Sequence, residues 1–116
     1  MTPYIFVSHS QKDIAKVRQV RDYLENKSFE PILFNLKCLT DHDELTTLVK
    51  REIEARTCFL YLDSPNARAS ERVKAEVSYA EKLQKKVFTV NLGDTWFIQK
   101  LSLRRMIREM RGRFNA

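Results

Sequence analysis

The sequence predicts an α/β fold built on a doubly wound parallel sheet with at least four strands and flanking helices. Short apolar runs alternate with helix-periodic stretches four times along the 116 residues. The runs are apolar at successive positions, as strands covered on both faces must be. Such an alternation is solved by right-handed crossovers that place helices on both sides of one parallel sheet.

The first strand is Tyr4–Val7, followed by the loop Ser8-His9-Ser10. Ser10-x-x-Asp13 resembles a capping box and opens a helix to about Asn26, with Ile14, Val17, Val20 and Leu24 on one side. The second strand, Pro31–Phe34, tolerates proline because its first residue need not donate to the ladder. After the loop Asn35–Asp41, Thr40 or Asp41 caps a helix carrying Leu45, Leu48, Val49 and Ile53 and ending near Arg56. Thr57–Leu62 is the third strand. Ser70 caps the next helix, whose apolar stripe is Val73, Val77, Ala80 and Leu83. Val87–Val90 is the fourth strand, and from about Thr95 a last helix carries Phe97, Leu101, Met106, Ile107 and Met110, with Gly112 as its stop.

Composition narrows the function classes. A chain of this length buries about two-thirds of the surface its unfolded form exposes, so no metal or disulfide is required to hold it. Cys38 and Cys58 have no metal-ligand spacing and read as reduced thiols of a cytoplasmic protein. No secretory leader is expected from the opening residues, and no apolar run approaches the ~18 residues of a membrane span. Gly93 and Gly112 are the only glycines, which excludes a glycine-rich phosphate loop. The net charge of +6 gathers in the tail, where Lys100, Arg104, Arg105, Arg108, Arg111 and Arg113 face the single acid Glu109. That helix is expected to pack its apolar side and solvate the rest, so neither nucleic acid nor membrane is expected as a partner.

The chemistry is expected between Asp63 and Glu76. At about 100° per residue Glu76 falls on the apolar stripe of its helix, where an uncompensated carboxylate costs stability unless it faces a cleft. If the first two crossovers take opposite faces, as in the flavodoxin-like strand order, the ligand crevice opens beyond strands one and three. Ser8-His9-Ser10 and Asp63-Ser64 then face each other across it.

Ile5-Phe-Val-Ser-His-Ser-Gln-Lys-Asp13, Ser64-Pro-Asn-Ala67 and Ser70-x-x-Val-x-x-Glu76 resemble the first loop and the Ser-Pro-Asn and Ser-x-Trp-Cys-x-x-Glu signatures of the Toll/interleukin-1 receptor (TIR) domain family, bacterial type. The likeness runs from about residue 4 to 91. It implies the flavodoxin-like sheet, TIR-TIR self-assembly, and cleavage of NAD+ at the nicotinamide-ribose bond, in prokaryotic immune or antiphage signalling. NAD+ is then a substrate, and no cofactor or metal is implied. By the same resemblance Glu76 matches the catalytic glutamate, and Ser8, His9 and Ser10 fall on the first loop beside the ligand. Ser64 is a further expected contact, and the helix N-termini at Ser10 and Ser70 with Lys12, Arg68 and Arg72 at the crevice rim are the candidates for holding the pyrophosphate. Arg72 stands where the family usually carries tryptophan, and the loop Asn35–Asp41 lacks the family's usual Pro-Gly. No fifth strand follows Leu92, so residues 1–116 read as a single TIR-like domain that is either a short variant or an excised piece.

Each of these residues also has a structural reading. Glu76 and Arg72, four apart on a helix, can form an ion pair; the serines can cap helices and close turns; His9 can shape the crevice without acting as a base. The competing function is accordingly a catalytically inactive TIR module for homotypic assembly and signalling.

Overall fold

The computed structural model describes residues 4–27, 30–33, 47–56 and 58–114. Its elements follow as β1 (Tyr4–Ser8), a 3-10 turn (Gln11–Asp13) leading into α1 (Ile14–Asn26), β2 (Glu30–Leu33), α2 (Thr47–Ala55), β3 (Cys58–Asp63), α3 (Pro65–Ala69), α4 (Glu71–Lys82), β4 (Val87–Asn91) and α5 (Trp96–Phe114). The four strands form one parallel sheet in the order β2-β1-β3-β4. β1 and β3 pair with Ile5 opposite Cys58 and Ser8 opposite Tyr61, so their carboxyl ends lie side by side. This is the predicted doubly wound, flavodoxin-like order, and it sets the topological switch point at that edge.

The pleat divides the core in two. Ile5, Val7, Cys58, Leu60 and Leu62 point to one face, where Val17, Val20 and Leu24 of α1 and Leu103, Met106, Ile107 and Met110 of α5 cover them. Phe6 and Phe59 point to the other and stack with ring centroids 5.4 Å apart beneath Val49, Ile53 and Ala80 of α2 and α4. Strands buried on both sides are why the sequence shows continuous apolar runs instead of alternation.

Several local expectations are corrected. Asp13 does not close a capping box: Ser10 Oγ accepts from Lys12 N at 3.2 Å, while the Asp13 carboxylate bonds to Ser64 and Asn66. The segment after β3 forms a short helix, α3, because Ser64 caps it and Pro65 occupies its first turn. Leu83 is the C-cap of α4 and 38% exposed, and the turn beyond it places Gln84 at φ 60°. On α5, Phe97 and Leu101 lie outside the core at 66% and 45% exposed, and Leu103 takes the buried position. Gly112 does not stop the helix, which continues to Phe114. Phe34, the loop Asn35–Asp41, Leu45 and Thr57 lie outside the described residues.

Candidate functional site

The site assembles where β1 and β3 end. Ser8 is the last residue of β1, and Ser8, His9 and Ser10 are fully buried. From the β3 side, Ser64 Oγ donates to Asp13 Oδ2 at 2.5 Å and accepts from Ala67 N at 2.9 Å, so one hydroxyl caps α3 and ties it to the β1 loop. Asn66 Nδ2 donates to Asp13 Oδ1 at 2.8 Å, completing a two-point clamp across the switch point. Asp13 and Asn66 were missed by sequence reasoning, since nothing local marks two residues more than fifty positions apart as partners.

α4 supplies the charged pair. Ser70 Oγ accepts from Val73 N at 3.2 Å, which starts the helix at Glu71 and turns both Arg72 and Glu76 inward. Glu76 is 0% exposed and Arg72 is 2% exposed. Ser8 Oγ donates to Glu76 Oε1 at 2.7 Å, and Arg72 Nη1 donates to Oε2 at 3.0 Å. The other arm of the guanidinium, Nη2, donates to the backbone carbonyl of His9 at 2.7 Å. Both carboxylate oxygens are therefore engaged, and the cost of removing two charges from water is offset by their mutual attraction and these hydrogen bonds.

The expected contacts thus separate into two groups. Ser8, His9, Arg72 and Glu76 form one buried cluster, while Ser10, Ser64 and Ser70 serve as N-caps. Arg72 is not at a crevice rim but inside, and Arg68 is held outside by Asp63 at 3.0 Å. The ion pair with Arg72 and the Ser8 hydroxyl accommodate Glu76 on this stripe.

Two titrating groups on β3 are held neutral, Tyr61 at its carboxyl end and Cys58 at its start. Burial pushes the Cys58 thiol up to about 12, against a smaller opposing effect of Lys85. Tyr61 is likewise raised to about 12, first by desolvation and then by donating to Asp63 at 2.9 Å. Among the described residues no group of His, Cys, Asp and Glu gathers as metal ligands, and no helix is long and apolar enough to cross a membrane.

Comparison with known proteins bears on this geometry. A family model described as TIR domain matches residues 5–113. A protein of Cytobacillus dafuensis, named as a candidate cyclic ADP-D-ribose synthase, is similar over 101 residues at 28% identity, covering 78% of this chain and 25% of the relative. The chain spans about a quarter of the length of that relative.

Proposed function

The chain belongs to the TIR domain family, and on that premise we propose that it cleaves NAD+ at the nicotinamide-ribose bond with Glu76 as the catalytic carboxylate. The observation that carries the reading is the position of Glu76 at the switch point, 2.7 Å from the Ser8 hydroxyl at the end of β1. The name of the Cytobacillus relative, a cyclic ADP-ribose synthase, supports the same chemistry.

In this mechanism the glycosidic C–N bond breaks with its electron pair passing to the pyridine nitrogen, so nicotinamide leaves neutral and needs no general acid. What remains is a cationic sugar. Glu76 holds the ribose hydroxyls and offsets the charge developing at the anomeric carbon. Water then attacks and releases a proton, giving ADP-ribose, or adenine of the same molecule attacks and gives a cyclic product. Because both oxygens of Glu76 are occupied, substrate displaces Arg72 from the carboxylate, and the freed guanidinium is suited to a pyrophosphate. NAD+ is substrate and not cofactor. Self-assembly switches the site on, in a cytoplasmic setting of prokaryotic immune or antiphage signalling.

A second reading is favoured by one feature. The Arg72–Glu76 pair is closed and buried, which suits a catalytically inactive module for homotypic assembly. Nicotinamide release from concentrated protein, and from protein fused to an oligomeric scaffold, separates the two. Release by the wild type that disappears in a folded Arg72→Met/Glu76→Gln double variant supports catalysis. Release by neither form of the wild type, or equal release by the variant, overturns it.

A further inference from the structure

A groove between α1 and α5 lies apart from Glu76. Two cavities of 270 and 290 Å³ share Tyr23, Lys27 and Arg104 in their walls, so they adjoin along the same helix pair. Lys27, Lys100, Arg104, Arg108 and Arg111 line them, and no aspartate or glutamate does. The acids on the two helices point elsewhere: Asp22 and Glu25 contact Arg21 at 3.2 and 4.0 Å, and Glu109 contacts Lys86 at 3.4 Å. Among the described residues Lys100, Arg104, Arg108 and Arg111 make no ion pair. Concentrating like charge without neutralising it opposes folding by self-repulsion, and an anionic partner removes that penalty.

From this arrangement we infer that the α1/α5 groove binds a single-stranded polynucleotide. Positions 100, 104, 108 and 111 fall within an arc of about 80° and step along α5 by about 6 Å or less, covering about 16 Å in all. That is a row of charges suited to following successive phosphates of an extended strand. Three of the four are arginines, whose planar fork grips phosphate oxygens in pairs. The same groove presents Phe97, 66% exposed, as an open aromatic face, beside the half-buried Tyr23, whose ring meets Trp96 edge-on at 6.0 Å and carries Lys27 Nζ at 5.7 Å. An aromatic platform such as Phe97 beside a cationic track is what unstacked bases require, whereas a duplex keeps its bases hidden and an acidic peptide has none to stack. A bilayer presents a flat surface, and these cations line a concave one. The sequence leaves the arginines of α5 as a solvated face; the packing of α1 brings Tyr23 and Lys27 opposite them and turns the face into a groove.

The test is fluorescence anisotropy with labelled deoxythymidine and uridine strands of about 15 nucleotides. Duplex of equal length, polyglutamate and phosphatidylserine vesicles are the competitors. Single strands are expected to bind, with affinity falling between about 50 and 200 mM salt. Arg104→Glu/Arg108→Glu is expected to weaken binding at least about tenfold and to flatten the salt slope by about 1.4. Phe97→Ala is expected to weaken binding about fivefold or more at unchanged slope. All three side chains are exposed, so circular dichroism of the variants is expected to match the wild type. No binding at low salt, tighter binding of duplex, polyglutamate or vesicles, or full affinity in either variant overturns the inference.

Discussion

At the scale of single residues, Arg72 and Glu76 are each other's condition for being buried. Removing one leaves the other as an uncompensated charge in the interior, at a cost of about 3–5 kcal/mol, whereas replacing both by groups of similar shape is often neutral. Glu76→Gln is therefore expected to lose both activity and stability, seen as a lower urea midpoint. Arg72→Met/Glu76→Gln is expected to recover most of the midpoint without recovering nicotinamide release. A single variant as stable as wild type would show that the pair is not energetically coupled. Ser8→Ala leaves Glu76 Oε1 without its hydroxyl donor and is expected to cost about 1–3 kcal/mol by the same measurement.

At the scale of elements, α3 is tied to the β1 loop through Asp13 rather than through an extensive apolar face, with Ala67 its only fully buried side chain. Asp13→Ala is expected to speed amide exchange in α3 while β3, paired on both edges, keeps its protection. Unchanged exchange in α3 would remove the clamp from the account. β3 itself carries a pH signature. The Cys58 thiol moves from an ordinary 9.0 in the unfolded chain to about 12 in the fold, and Tyr61 moves from 10.0 to about 12. Across that interval the unfolded chain binds fewer protons than the native one, so stability falls as pH rises from 9 towards 12. Urea midpoints are expected to decline through this window and to decline less in Cys58→Ala; an identical decline in both would place its origin elsewhere.

For the molecule as a whole, the expected coupling between assembly and activity rests on the segment Leu36–His42, which lies outside the described residues. Leu36 and Leu39 make this segment apolar, so a contact with a neighbouring domain that completes the site on assembly is expected of it. Leu39→Asp is expected to lower light scattering and nicotinamide release together across a concentration series, because it sets an unpaired charge in a desolvated contact. Activity per molecule that is independent of concentration, or a variant that changes neither quantity, contradicts the coupling.

By itself the sequence determined the four strands and the helices between them, while the order of the strands followed from the family resemblance and the structure. Continuous runs such as Ile5-Phe-Val7 and Cys58-Phe-Leu-Tyr-Leu62 demand cover on both faces, and Ser70 marks a helix start through a bond made within three residues. Glu76 was legible as a buried acid because helical period alone turns it inward. What only the tertiary structure decided are the partners that chain distance conceals. Ser8 reaches Glu76 across 68 positions, Asp13 leaves its own helix start for Ser64, and Phe97 and Leu101 are left out of the core while Leu103 enters it. Periodicity gives the direction of a side chain about its own axis. Which neighbour waits in that direction depends on how the helices sit over the sheet, and packing and desolvation choose that only once the whole chain is assembled.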